Sequence, residues 1–266
     1  MKNKNSAFPL FGLGTYKLLG QDCTNAVEFA LENEISLIDT ASFYENEESI
    51  GEAVKKSTVE REKYNLVSKI WTDEMRSGKI EEALMRSLSK LKTEYLDAYL
   101  IHWPVEGKWQ KAYEQLLRFE EQGVIRSLGV CNFTVGQLEE LNKEFNVYPI
   151  LNQVEMHVQF QQEEMQAFCK EKGILCQAWR PLMNGAAGSV KLLKDLGVKY
   201  NKSPYQIILR YFTQKGIGVI PKSSKNERIL ENSTIFDFNI EDEDLLAISA
   251  LNEEKRTGPD PLDFNF

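Results

Sequence analysis

Four titratable side chains fall at or just beyond the ends of short apolar runs. They are Asp39 in Asp39-Thr40-Ala41, Tyr44 in the loop that follows, Lys69 closing the run Asn65–Lys69, and His102 closing the run Ala98–His102. Together they suit the reduction of a carbonyl, because hydride addition leaves an alkoxide that must receive a proton. A free phenol is a poor acid near neutrality. An adjacent ammonium favours the phenolate and lowers the tyrosine pKa, and a carboxylate paired with that ammonium holds it in place. These roles fall to Tyr44, Lys69 and Asp39, and a neutral His102 can hold the carbonyl oxygen beside the Tyr44 hydroxyl. Each residue alone has an ordinary use, as a turn cap, a solvated lysine, a packing ring or a hydrogen-bonded histidine. The combination carries the reading.

No side chain supplies hydride, so a bound cofactor must. Gly12-x-Gly14 is followed by Tyr16 and Lys17 with no third glycine, no strand before it and no helix after it, which disfavours a Rossmann site and favours a turn. A different anion site is offered by Ile220-Pro221-Lys222-Ser223-Ser224, which runs into a short helix around Arg228–Asn232. Helix N-termini and hydroxyls favour phosphate, and Lys222 and Arg228 are local cations able to meet a 2′-phosphate. On these residues alone, a solvated Lys-Ser loop stands equally with a phosphate site.

The elements that would position these groups alternate regularly. Ser36–Thr40, Asn65–Lys69, Ala98–His102, Ser127–Cys131, Ile150–Glu155, Leu175–Trp179, Gly218–Pro221 and Thr234–Phe238 read as eight strands. Between them lie helical patterns such as Gln110–Glu121, with Ala112, Leu116, Leu117 and Phe119 on one face, and Ser203–Gln214, opened by Ser-Pro. Eight strand–helix units in series imply an α/β fold, a closed (β/α)8 TIM barrel of one domain over residues 1–266. Reacting groups in such barrels sit at the C-terminal ends of strands, and phosphates are frequently held after the seventh and eighth. Outside the eight units, Pro9–Leu18 is expected as a β-hairpin capping one barrel end and Glu241–Leu251 as an additional helix. The tail Thr257–Phe266 has two prolines and Gly258 and is expected along the surface.

Composition narrows the classes. With 42% hydrophobic and 27% charged residues the chain is neither disordered nor membrane-like. A net charge of −8 argues against a general partner for nucleic acid or anionic membrane, which need a broad positive field. Lys2 and Lys4 precede an apolar stretch that Pro9, Gly12 and Gly14 interrupt, so no secretory segment is expected. The four cysteines, Cys23, Cys131, Cys169 and Cys176, form no Cys-x-x-Cys pair, and with His102 and His157 the only histidines a zinc site is not expected; reduced thiols in the cytoplasm are.

Gly14-Thr15-Tyr16, Asp39-Thr40-Ala41 with Tyr44, Ser68-Lys69, His102-Trp103-Pro104, Gly129-Val130-Cys131-Asn132-Phe133, Asn152-Gln153-Val154-Glu155, Ile220-Pro221-Lys222-Ser223 and Arg228-x-x-Glu231-Asn232 form an ordered set over nearly the whole chain. In this set the sequence resembles the aldo-keto reductases, especially the bacterial diketogluconate-reductase-like and prostaglandin-F-synthase-like branch. The resemblance implies a catalytic tetrad of Asp39, Tyr44, Lys69 and His102, with NADPH (or NADP+) extended across the barrel mouth. It implies Asn132 and Gln153 on the nicotinamide carboxamide, Lys222, Ser223 and Arg228 on the 2′-phosphate ribose, and Glu231 and Asn232 at the adenine. Gly14, Thr15, Leu182, Ile220 and Pro221 would also line the cofactor site. Two motifs depart from the usual pattern. Cys131-Asn132-Phe133 replaces Ser-Asn-Phe, and Trp179-Arg180-Pro181-Leu182 replaces Tyr-Ser-Pro-Leu, so Trp179 would stack on the nicotinamide and Arg180 would either approach the diphosphate or point to solvent.

Tyr16, Trp71 and Trp103 resemble the family's aromatic substrate positions, with His102 beside them, implying a small-molecule carbonyl on an apolar or aromatic body. Many members of the family are monomers, and a monomer is expected. His157 carries no such argument and reads as structural. A cofactor-binding sensor or regulatory subunit of the same fold, as in potassium-channel β subunits, is the alternative; the intact tetrad argues against it. A phosphate-binding isomerase or aldolase using Lys69 as a Schiff-base or acid–base group would leave Tyr44 and the Arg228–Asn232 segment without purpose.

Overall fold

A computed structural model describes residues 8–264 and 266, so Lys2 and Lys4 lie outside the described residues. Eight parallel strands follow one another in sequence order. They are β1 (Leu13–Gly14), β2 (Leu37–Asp39), β3 (Asn65–Ile70), β4 (Ala98–Ile101), β5 (Leu128–Cys131), β6 (Leu151–Glu155), β7 (Leu175–Trp179) and β8 (Gly218–Val219). The sheet closes on itself. Phe11 bridges Val219 and Gly14 bridges Lys222, both in parallel, and Gly12 N donates to Val219 O at 3.0 Å while Val219 N donates to Leu10 O at 2.8 Å. The result is the expected (β/α)8 barrel.

The crossover helices form where apolar positions recur at helical spacing. Trp109–Glu121 buries Trp109, Ala112, Tyr113 and Leu116. Pro204–Gln214 starts on a capping box, with Ser203 Oγ accepting from Gln206 N at 3.2 Å and Gln206 Oε1 accepting from Ser203 N at 3.0 Å. The additional helix is Asp242–Ser249. No helix among the described residues is long and apolar enough to cross a membrane.

Two expected elements are overturned. Pro9–Leu18 is not a hairpin: Leu13–Gly14 is a barrel strand parallel to β2. Its glycines serve close approach, since a Cβ on Gly12 would sit 2.6 Å from Leu37 Cγ and one on Gly14 would sit 2.5 Å from the Ile220 carbonyl oxygen. Thr234–Phe238 is accordingly not a strand, because β1 already occupies the place between β8 and β2. That segment follows the helix Asn226–Ser233 and packs outside the barrel, with Ile235 buried, Phe236 exposed, and Lys202 paired with Asp237 at 2.6 Å. The strand before the phosphate-like segment is therefore the eighth, where the sequence count made it the seventh.

Period-two alternation sends one face of each strand into the barrel. Leu37, Val67, Ala98, Leu100, Cys131, Leu151 and Ile220 form the interior core, separate from the larger core between sheet and helices. Gly129 leaves room there for Leu100, whose side chain lies where a Cβ would project.

Candidate active site

The same alternation that fills the barrel with apolar groups delivers polar ones to its C-terminal mouth. Two residues after Leu37 comes Asp39, after Val67 comes Lys69, after Leu100 comes His102, and after Leu151 comes Gln153. Lys69 is fully buried, and its Nζ donates to Asp39 Oδ1 at 2.6 Å and to the Thr40 carbonyl oxygen at 2.7 Å. Asp39 Oδ2 accepts from Gln153 Nε2 at 2.8 Å, so both carboxylate oxygens are engaged. The ammonium lies 5.0 Å from the centroid of the Tyr44 ring, and the Tyr44 and His102 rings meet edge to face with centroids 5.6 Å apart. The four residues expected to act together are brought together.

Tyr44 ends a single turn, Ser42–Tyr44, and Asn46 and Glu47 just beyond it are anchors. Asn46 Oδ1 accepts from Thr40 Oγ1 at 2.6 Å, and its Nδ2 donates to the carbonyls of Thr15 at 2.8 Å and Leu18 at 2.9 Å. Glu47 accepts from Ser68 Oγ at 2.6 Å, beside Lys69 in sequence. The Tyr44 loop is thereby tied to β2, β3 and the segment after β1 by residues that the sequence reading passed over.

Electrostatics correct one expectation. Burial raises the Tyr44 pKa, and although Lys69 opposes this, the phenol is held above its usual value rather than below it. Burial also acts to lower the Lys69 pKa, yet Asp39 and Tyr44 more than offset it and the ammonium is stabilised. Burial and then Lys69 push His102 well below its ordinary value, so the imidazole is neutral. Its Nδ1 is buried without a partner among the described residues. The site therefore holds a protonated phenol and a neutral imidazole over a buried ion pair.

All the residues expected at the site except Lys69, which lies beneath, line one cleft of about 1060 Å³. That is ample for a dinucleotide beside a small substrate. At one end, Phe43 stacks on Trp71 with centroids 3.9 Å apart, and Phe266 stacks on the same ring at 5.4 Å and meets Trp103 edge-on at 5.1 Å. The tail thus reaches into the cleft instead of only following the surface. In the middle, Asn132 stands at φ 63°, a conformation asparagine tolerates, and joins the His102 carbonyl at 3.0 Å to Trp179 Nε1 at 2.9 Å. Gln153 Nε2 is committed to Asp39 and, at 2.8 Å, to Gln177. Thr15 donates from N and Oγ1 to the Asp39 carbonyl. Arg180 lies over the Trp179 ring at 5.2 Å and donates to Thr257 Oγ1 at 3.2 Å.

At the far end, Lys222, Lys225 and Arg228 are exposed on the cleft and carry no ion pair among the described residues. Ser223 is buried between them, and the helix Asn226–Ser233 begins beside them. Cations without counter-ions at a helix start, in an acidic protein, fit a phosphorylated ligand. Lys225 was missed although it directly follows the Ile220–Ser224 run. Phe43 neighbours Tyr44, and an exposed aromatic there was the available signal. Nothing local in the sequence marked Phe266.

The chain belongs to the aldo/keto reductase family, whose pattern matches residues 11–253. It is an oxidoreductase that acts on carbonyl compounds. It is 42% identical to the glyoxal reductase of Bacillus subtilis (strain 168) over 259 residues, 97% of this chain and 94% of that protein. An aldo-keto reductase enzyme from a Medee basin deep-sea metagenome library superimposes with a TM-score of 0.96 at 34% identity, over 99% of this chain and 98% of the other. A mutant of Gox0644 in complex with NADPH superimposes with a TM-score of 0.92 at 30% identity, over 97% and 95%.

Proposed function

We propose that this chain, working as a single barrel domain, reduces aldehydes and ketones to alcohols with NADPH as hydride donor and Tyr44 as proton donor. The observation that carries the reading is one cleft with the buried Lys69–Asp39 pair, Tyr44 and His102 at its floor and, at its far end, three cations that are unpaired among the described residues. When bound, the cofactor would supply hydride to the carbonyl carbon. His102 donates a hydrogen bond to the carbonyl oxygen and orients it toward Tyr44. As charge grows on that oxygen, the Tyr44 hydroxyl gives up its proton, and the Lys69 ammonium stabilises the phenolate left behind. Asp39 keeps Lys69 charged and in place.

NADPH as the partner is supported by the solved complex of a relative and by Lys222, Lys225 and Arg228. The aromatic end of the cleft and the glyoxal reductase relative support a small carbonyl seated among apolar rings. Four free, buried cysteines agree with a reducing compartment such as the cytoplasm. The test is Tyr44→Phe, assayed by nicotinamide absorbance with glyoxal and an aromatic aldehyde. NADPH binding should be retained, and turnover should fall by about a hundredfold or more. Near-normal turnover would reject Tyr44 as donor.

A further inference from the structure

We propose that Glu155 is a positioning residue for the cleft: its buried carboxylate seats the Thr257–Gly258 turn against the outer edge of Trp179 and so sets the wall on which a nicotinamide would lie. Glu155 ends β6, points inward like Leu151 and Gln153, and is fully buried without reaching the cleft. Its Oε1 accepts from Thr257 N at 2.9 Å, from Gly258 N at 3.0 Å and from Thr257 Oγ1, and its Oε2 accepts from Gly258 N at 2.9 Å. His157 Nε2 lies 3.4 Å from Oε1 and an Arg256 guanidinium nitrogen 3.8 Å from Oε2.

The geometry is specific to this turn. Upstream, the segment follows the loop after β6 through Glu253 N and Lys255 N, which donate to the Gln159 carbonyl at 3.1 and 3.0 Å. At Glu155 it is held through the N–H groups of Thr257 and Gly258. Gly258 meets the indole so closely that a Cβ there would lie 2.5 Å from Trp179 Cη2 and 3.0 Å from Glu155 Oε2. Arg180 clasps the same turn from the other side through Thr257 Oγ1. The inner edge of the indole is fixed by Asn132, so the tail and the barrel hold Trp179 from opposite sides. A buried carboxylate is costly unless its acceptor sites are filled, and here backbone N–H groups of the tail fill them.

This inference rests on the cofactor reading above, and its test separates the two. NADPH is titrated into wild type, Glu155→Gln, Gly258→Ala and Thr257→Ser, followed by KM and kcat for aldehyde reduction and by thermal melting. Glu155→Gln and Gly258→Ala should each weaken NADPH binding by about tenfold, less than the roughly hundredfold that a 1 Å misplacement can cost at a reacting centre. KM for NADPH should rise more than kcat falls, and Thr257→Ser, which keeps the hydroxyl and the N–H, should behave as wild type. If Glu155→Gln does not fold, Gly258→Ala decides, since it touches the indole edge without removing the carboxylate. Lower melting temperatures with unchanged NADPH affinity would overturn the inference and leave the function intact. Failure of the wild type to bind NADPH would overturn both.

Discussion

A proton donor at the mouth of a barrel faces opposing influences, and at Tyr44 burial prevails over the lysine beside it. The phenol then stays protonated up to at least its ordinary value of 10.0, while His102, depressed below 6.5, stays neutral through the same range. We expect kcat/KM for aldehyde reduction to show no break between about pH 6.5 and 9.5 from either group; a break centred near neutrality in a pH-rate series would assign the proton to another residue. The phosphate end gives an independent outcome. Lys222→Ala and Arg228→Ala should each weaken NADPH about tenfold and leave NADH nearly unchanged, as lost charge-assisted contacts to a 2′-phosphate require; equal losses for both cofactors would remove that role. Asp39, Lys69 and His102 were legible in sequence because each closes an apolar run. Glu155 closes one too, but its partners lie 102 and 103 residues away, beyond any local pattern.

At the scale of elements, the loop after β2 depends on Asn46 more than its length suggests. Asn46→Ala would leave two backbone carbonyls and the Thr40 hydroxyl without their partner, which costs about 1–3 kcal/mol. Because those bonds fix the Tyr44 turn, kcat should fall with little change in NADPH affinity, as separate binding and turnover measurements would reveal. The tail carries a pH signature. Burial acts to raise the Glu155 pKa, but His157 and the Thr257 and Gly258 donors outweigh it and hold it at about 2, against an ordinary value of 4.5. Its contribution to stability is thus full above pH 4.5 and is lost as the pH falls toward about 2. Melting curves across that window should flatten in Glu155→Gln relative to wild type. The helices were legible from spacing and caps, Ser203 with Gln206 above all. The N-terminal strand was not, since two glycines in ten residues read as turn punctuation until the sheet shows what presses against them.

Across the molecule, the barrel interior is a packed plug under the site. Leu100→Ala should cost about 2–5 kcal/mol, whereas Leu246→Ala on the last helix should stay within about 0.5 kcal/mol because that side chain is 71% exposed. Comparable losses in denaturant titrations would contradict this division between core and surface. The fold class was legible because strand and helix patterns alternate along the whole chain; one unit was miscounted because a β-branched and aromatic run, Thr234–Phe238, imitates a strand where the sheet has no edge left. The short seam between β1 and β8 has a consequence for how the protein is made. Leu13 emerges from the ribosome long before Val219, so one side of the first strand must wait, unpaired, through most of translation. Growing chains stalled before Val219 should therefore be the most dependent on chaperones, and the last hydrogen bonds of the sheet to form should be those that join its earliest and latest strands.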